Sequence, residues 1–427
     1  MTFLDELAAR RRFGMKPGLG AIRRLAAALG DPHERLRGVL HLAGTNGKGA
    51  TAAILDACLR AAGLRVARYT SPHLVQLNER FFLDGAPLGD GPLERAAERV
   101  AAAARRDAAL NDLTFFEALT ATAFVAFADA EADCNVFETG LGGRLDATNI
   151  VKPRLTIITR LGLDHCDWLG DTIEQIAAEK AGIVKAGVPV VLGRNVDAVR
   201  RVVEARARDV GAPFHYAPDL ATAADVPREF ALKGAFNREN AVTALAALKL
   251  LLDERDLAAA RAGFAQVVWP GRFQTVGRYL IDGAHNPPAA RALADALAEA
   301  YGADAQFRLI AGFCGDKDID ETLRILAPFV TDARAVPTSN PRALAPERLA
   351  AKMRAAGIDA VPCASLAAAL AGEDAGLTAA GRPDTLICGS LFLAGDALVA
   401  LGAVPWPTAR RDPSEWLAGQ SRTGRAR

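Results

Sequence analysis

Residues 41–51 read His-Leu-Ala-Gly-Thr-Asn-Gly-Lys-Gly-Ala-Thr, a glycine-rich turn with one lysine between an apolar strand and an alanine-rich helix. Such a turn suits a nucleoside triphosphate. Gly44, Gly47 and Gly49 let backbone N–H groups face an anion at a helix N-terminus, where the dipole also favours negative charge. Lys48 then reaches the terminal phosphates. The strand is expected over Val39–Leu42 and the helix over 51–62. The match to the strict G-x-x-x-x-G-K-[ST] pattern is incomplete, because Leu42 stands in place of a glycine and Gly49 in place of a hydroxyl. Alone, the loop also reads as an ordinary turn.

Other polar groups follow apolar runs in the same way. Glu138 ends the run Cys134–Phe137 and opens a loop, Glu138–Asn149, rich in glycine. A carboxylate there suits Mg²⁺, which prefers oxygen ligands. Ser71, before Pro72, is either a turn former or a further oxygen for that cation. His165, in Leu163–Gly170, is a candidate metal ligand or phosphate contact because it follows a third strand. Thr172-Ile173-Glu174-Gln175 has the form of a capping box, so a helix is expected there with Ile173, Ile176 and Ala177 facing inward. Lys180 lies near the end of that helix, where a lysine ordinarily offsets the dipole. Further on, Asp282–Pro287, Gly312–Asp318 and Gly389-Ser390 each end a strand with polar residues.

The elements that position these groups alternate between strand and helix. Strands at Val39–Leu42, Cys134–Phe137, Leu155–Thr159 and Val188–Leu192 have the rhythm of a parallel sheet covered on both faces, whose ligands bind at strand carboxyl ends. A second series follows: strand Arg278–Ile281, helix 288–300, then strands Phe307–Ala311 and Thr385–Cys388. The turn Trp269-Pro270-Gly271-Arg272 divides them, giving domains 1–271 and 272–427. Segments 92–110 and 364–380 read as helical, and the tail Gly419–Arg427 as frayed.

The 427 residues, 51% of them apolar, suffice for two or three domains at roughly 100–200 residues each. A net charge of +1 gives no global field for nucleic acid or membrane surfaces. The six cysteines form no C-x-x-C pair, which fits thiols in a reducing compartment. The acidic start Met-Thr-Phe-Leu-Asp-Glu-Leu is unlike a signal peptide, and no apolar run spans a membrane, so a cytoplasmic protein is expected.

Taken together and in order, the segments GTNGKG (44–49), SPHL (71–74), TFFE (114–117), FETGLGGRLDATN (137–149), LDHCDWLG (163–170), EKAGI (179–183), NRENA (237–241), PGRF (270–273), DGAHNP (282–287), GDKD (315–318) and GS (389–390) resemble the folylpolyglutamate synthase/dihydrofolate synthase family of Mur-type ligases. The likeness runs from about Met15 to Leu393. It implies an α/β protein: a P-loop NTPase-like Mur ligase central domain with a parallel sheet, and a smaller C-terminal Rossmann-like domain. By the same likeness Asn46, Gly47, Lys48 and Gly49 hold ATP phosphates, with Asn240, Arg272 and Asp282 as further ATP contacts. Ser71, Glu138 and His165 match Mg²⁺ ligands. Pro17, Gly18 and Leu19, with Thr114, Phe115 and Phe116 and with Leu145, Asp146 and Ala147, match stretches that contact the pteroate substrate. Lys180 matches a lysine carried as a carbamate, which turns a cation into an anion able to sit beside a cation. His285 and Ser390 are assigned to L-glutamate. Ala50, Thr139, Arg160-Leu161 and Cys314 depart from the family pattern, and Ala50 removes a loop hydroxyl unless Thr51 replaces it.

The activity implied is ATP-dependent addition of L-glutamate to dihydropteroate, to tetrahydrofolate, or to both, by a monomer, with ATP and Mg²⁺ as cofactors. A Mur-type ligase for another acid is the main alternative. A GTPase would need Asn-Lys-x-Asp, which does not occur, and a non-catalytic nucleotide binder would be expected to lack Glu138, His165 or Lys180. Lys48→Ala is expected to lower turnover by orders of magnitude with the fold intact, because its charge acts on the transferring phosphoryl group. Near-normal ADP release from the folded variant would remove Lys48 from that role.

Overall fold

The computed structural model describes residues 18–315, 317–371 and 381–406. Pro17, most of 364–380 and the tail Gly419–Arg427 lie outside the described residues. The chain divides into two compact units, residues 18–231 with 239–267, and residues 232–238 with 268–406.

The first unit holds an eight-stranded sheet. Its strands are β1 (Val39–Ala43), β2 (Val66–Tyr69), β3 (Phe81–Leu83), β4 (Ala86–Pro87), β5 (Cys134–Glu138), β6 (Leu155–Ile158), β7 (Val190–Leu192) and β8 (Phe214–Tyr216). Their spatial order is β4-β3-β2-β5-β1-β6-β7-β8, with only β3 running against the others. All five residues of β1 are buried, as a central parallel strand covered on both faces requires. The register sets Leu42 opposite Glu138 and Tyr69 opposite Phe137, so the carboxyl ends of β1, β2 and β5 lie side by side.

Local chemistry starts the helices around this edge. The helix after β1 runs Lys48–Ala61, three residues earlier than the sequence reading, because Gly47 at φ +86° turns the chain straight into it. Thr114 begins helix Phe115–Ala130 with a reciprocal cap: its hydroxyl accepts from Glu117 N at 3.2 Å and its own N–H donates to Glu117 Oε2 at 2.9 Å. Thr172 caps Ile173–Ala181 likewise through Gln175, as expected, with Ile176 and Ala177 buried and Ile173 half-buried on the same cluster. On the opposite side of the sheet's centre, the ring of Phe137 meets Phe124, Phe127 and Tyr69 at 5.4–5.9 Å.

The second unit holds a six-stranded sheet of β9 (Gln274–Val276), β10 (Tyr279–Ile281), β11 (Phe307–Ala311), β12 (Val330–Ala335), β13 (Asp359–Pro362) and β14 (Thr385–Cys388). The order is β13-β12-β11-β14-β10-β9, with only β9 antiparallel. Helix Pro287–Tyr301 follows β10, started by Asn286, whose side chain accepts from Ala289 N.

One charged group is built into the first core. Arg68, 2% exposed on β2, pairs with Asp56 of helix Lys48–Ala61 at 3.1 Å and lies over the Phe82 ring at 4.0 Å. Asp56 also accepts from Arg60 at 2.8 Å. Removing one partner of a buried pair leaves an uncompensated charge, whereas an exposed pair is worth little. Asp56→Ala is therefore expected to cost about 3–5 kcal/mol in chemical denaturation, and loss of the exposed Lys152–Glu34 pair less than about 1 kcal/mol. Equal costs would show that Asp56 does not hold Arg68 in the core.

Candidate active site

Lys48 is the first residue of its helix, and its side chain folds back over the loop. Lys48 Nζ donates to Gly44 O at 3.0 Å and to Thr45 O at 3.5 Å. It lies 3.9 Å from Glu138 Oε1, and both side chains are largely buried. The other oxygen of Glu138 accepts the Ser71 N–H at 3.1 Å. Lys48, Ser71 and Glu138 thus meet although 67 residues separate the last two, because β2 and β1 flank β5.

Lys180 enters from helix Ile173–Ala181, 4% exposed, and its Nζ donates to the same Gly44 oxygen at 2.9 Å. Burial, and then the nearby Lys48 charge, pull its amine down to about 7, against the opposing pull of Asp164 and Asp146.

The loop is held from the β6 side by backbone. Arg160 O accepts the N–H groups of Thr45 at 3.1 Å and Asn46 at 3.2 Å. Thr159 Oγ1 donates to Asn46 O at 2.8 Å, and the Thr45 hydroxyl exchanges hydrogen bonds with the Gly162 backbone. Asn195, which sequence reasoning passed over, ties this segment to the end of β7: it accepts from Leu161 N and donates to Thr159 O and Gly193 O. Its only sequence signal is its place just after a strand. Arg160, a departure from the family pattern, serves the loop through its carbonyl; its guanidinium pairs with Glu239 at 3.1 Å. Asn240, the next residue, is buried against the loop. A Cβ on Gly47 would stand 2.2 Å from Asn240 Oδ1, so both the left-handed turn and this close approach require glycine there.

Ser71 and Glu138 offer oxygens of the kind a hard divalent cation takes. His165 starts the short helix Cys166–Leu169 at φ +55°, with its side chain 43% exposed and Nε2 3.9 Å from Asp164 Oδ1. Among the described residues no group of three His, Cys, Asp or Glu side chains forms a metal cage. The oxygen donors of the loop edge fit a cation that shares its shell with phosphate and water.

The loop Gly140–Asn149 packs on the turn that carries Lys180. A Cβ on Gly143 would lie 2.8 Å from both Glu179 O and Lys180 O, so the two backbones touch there. Arg144 N donates to Glu179 O at 2.8 Å, the Arg144 guanidinium pairs with Glu179 Oε1, and Asn149 bridges Arg144 O to Gly182 O. Asp146 is buried and accepts from four donors of its own loop; Leu145 is half-buried and Ala147 buried. Phe116 packs its ring on Gly140, and Leu19, Phe115 and Phe116 border the first core, with Gly18 half-buried beside Leu19. Thr114 is occupied as a helix cap.

In the second unit, Asp282 accepts from Phe273 N and Ala284 N, both at 2.8 Å; burial raises its carboxyl and Arg272 opposes the rise. Arg272 crowds Gly283, where a Cβ would meet its Nη1 at 2.6 Å. His285 Nδ1 bonds Gly283 O at 2.8 Å, and Ser390 caps helix Leu391–Ala400 through Phe392 N. Gly389 N donates to Ala284 O, so the turns carrying His285 and Ser390 adjoin.

A phosphate loop on a parallel sheet, joined to a second α/β unit, defines a Mur-type ligase. The Mur ligase middle domain matches residues 42–207, and the Mur ligase glutamate ligase domain matches residues 271–390. The dihydrofolate synthase/folylpolyglutamate synthase of Bacillus subtilis is 34% identical over 347 residues, covering 74% of this chain and 80% of that protein. The Mycobacterium tuberculosis folylpolyglutamate synthase complexed with ADP aligns with a TM-score of 0.84 at 32% identity, over 94% of this chain and 98% of that one. A bifunctional folylpolyglutamate synthase/dihydrofolate synthase with Mn, AMPPNP and L-glutamate bound aligns at 0.78 and 31% identity, over 93% and 98%. The chain belongs to the folylpolyglutamate synthase/dihydrofolate synthase family of Mur ligases.

Gly143→Ala must push the loop away from Glu179 and Lys180, since two backbone oxygens stand in the way. If Lys180 takes part in the reaction, displacing it slightly is costly, and turnover is expected to fall about tenfold or more with the far-ultraviolet circular dichroism unchanged. Unchanged turnover would show that the contact does not position Lys180.

Proposed function

We propose that the protein is an ATP-dependent ligase that adds L-glutamate to dihydropteroate, to tetrahydrofolate, or to both, in folate biosynthesis. The observation that carries this reading is the convergence of Lys48 and Lys180 on Gly44 O beside Glu138, within a chain of this family. The acid's carboxylate oxygen forms a bond to the γ-phosphorus of ATP as the bond to ADP breaks. The barrier is chiefly electrostatic, and Lys48, fixed by the loop, neutralises charge on the transferring group. The glutamate amine then bonds the activated carbonyl carbon, phosphate leaves, and the nitrogen gives up a proton.

Asn46, Gly47 and Gly49 line the phosphates with Lys48, and Asn240 of the same unit adjoins them at Gly47. Ser71, Glu138 and His165 would hold a divalent cation, Mg²⁺, which would screen phosphate charge. Leu145 and Ala147, with Leu19, Phe115 and Phe116, border the pteroate group, and His285 and Ser390 orient L-glutamate from adjoining turns. The protein acts as a monomer in the cytoplasm; six free cysteines support a reducing compartment, and no described helix is long and apolar enough to cross a membrane.

Lys180 acts as a carbamate. With its amine near 7, a large share is neutral at physiological pH, the form that attacks CO₂. The nitrogen–carbon bond forms as one C–O π bond of CO₂ opens onto oxygen, the nitrogen loses one proton, and the neutral amine becomes an anion; counted from the ammonium, two protons leave. Raising pH through 7 increases the neutral amine and so favours the product.

ADP release measured with dihydropteroate or tetrahydrofolate, each with L-glutamate, tests the assignment. Release with at least one acid, dependent on glutamate, is expected. Release only with an unrelated acid would favour another Mur-type ligase. For Lys180, ¹³C-bicarbonate should give a carbamate resonance that is absent in Lys180→Ala. That variant should be inactive and partly rescued by a short carboxylate. Full activity with an unmodified amine would overturn the carbamate.

A further inference from the structure

The phosphate-loop strand carries a buried polar residue that the reaction above does not use. His41, in the middle of β1 and 0% exposed, places Nε2 2.8 Å from Thr148 Oγ1. Thr148 Oγ1 in turn lies 2.5 Å from Asp146 Oδ1. Asp146 Oδ1 also accepts from Thr148 N at 3.0 Å, and Oδ2 accepts from Gly140 N at 2.8 Å and Leu141 N at 3.0 Å.

These contacts fix where each proton sits. Burial raises the Asp146 carboxyl, and the four donors around it oppose that rise and hold it as an acceptor, the ionised form. The Thr148 hydroxyl must therefore spend its single proton on Asp146, and its lone pair must accept from His41. The imidazole consequently carries its proton on Nε2. Burial keeps the ring neutral, with its pKa pushed down to about 3, and Nδ1 is an acceptor without a partner. An aliphatic residue would fill the strand at lower cost than a half-satisfied imidazole. The retained feature is the Nε2–H.

We infer that His41 is a positioning residue that orients Asp146 and the loop Gly140–Asn149 through Thr148, setting the acid substrate in register with the phosphate loop. The relay is short: imidazole of β1, hydroxyl, carboxylate, then the backbone N–H groups of residues 140 and 141. His41 stands three residues before Gly44 on the same strand, so the phosphate cradle and the loop bordering the acid share one rigid reference. The inference rests on the reading that Leu145–Ala147 borders a pteroate-type acid.

His41→Phe keeps an apolar ring in the strand and removes the donor. Loss of one hydrogen bond to a charge-linked hydroxyl is expected to raise the KM for dihydropteroate about tenfold while the KM for ATP stays within about twofold. His41→Gln, whose amide can donate to Thr148, should recover most of the loss, and Thr148→Val should reproduce it. Nitrogen-15 spectra of the native protein should show the His41 proton on Nε2. Equal rises in both KM values, no rise, no recovery in His41→Gln, or a proton on Nδ1 would overturn the inference. If His41→Phe does not fold, Thr148→Val and the tautomer decide it. If the native protein releases no ADP with either folate acid, the functional reading fails, and the tautomer measurement still tests the relay.

Discussion

Two lysine amines directed at one carbonyl oxygen are the arrangement on which the rest of the first unit depends. Lys48 and Lys180 both donate to Gly44 O, at 3.0 and 2.9 Å, inside a site with little access to water. Like charges at about 4 Å repel by about 4 kcal/mol in partly buried surroundings, more than one neutral hydrogen bond returns. The conflict has three reliefs visible in the structure or the chemistry. Glu138 sits beside Lys48, Lys180 yields its proton near neutral pH, and a polyphosphate would neutralise what remains. A site strained in this way without its anion binds that anion well.

Holding such a site open requires a loop that cannot collapse, and the fold supplies this through backbone contacts from both flanks. Arg160 O and Thr159 fix Thr45 and Asn46 from β6, while Asn195 locks that segment to the end of β7. On the other flank, β5 brings Glu138 level with the end of β1. The loop around Gly143 clasps the Lys180 turn so closely that no side chain fits between them. The catalytic side chains can therefore be few, because their positions are set by strands and by carbonyls that any residue could provide.

Much of this was legible in the residues, and the failures share a cause. The central strands were read correctly because buried parallel strands are continuous apolar runs, as in Val39–Ala43 and Cys134–Glu138. The strands β12, Val-Thr-Asp-Ala-Arg-Ala, and β13, Asp-Ala-Val-Pro, leave no continuous apolar run, because both carry charged residues on half-exposed or exposed positions and β13 lies at the sheet's edge. The two-residue β4 is too short to leave a pattern. Thr114-Phe115-Phe116-Glu117 matches a substrate motif, and its threonine and glutamate also form a reciprocal helix cap, a second local pattern in the same four residues.

The sequence by itself determined the phosphate loop, the order of strands and helices, the family, and the residue types able to do the chemistry. These follow from short-range rules: glycine where φ is positive, a lysine after it, apolar runs between turns, and motifs in a fixed order. Only the tertiary structure decided which groups meet. Lys180 reaches Gly44 across 136 residues and His41 reaches Thr148 across 107, and neither partner can be read from its own neighbourhood. The proton on His41 and the lowered amine of Lys180 likewise follow from burial and from partners distant in the chain, whereas the carboxylate of Asp146 is taken up by donors of its own loop. Periodicity reports which side of an element is buried, while protonation and placement depend on what the fold sets against it.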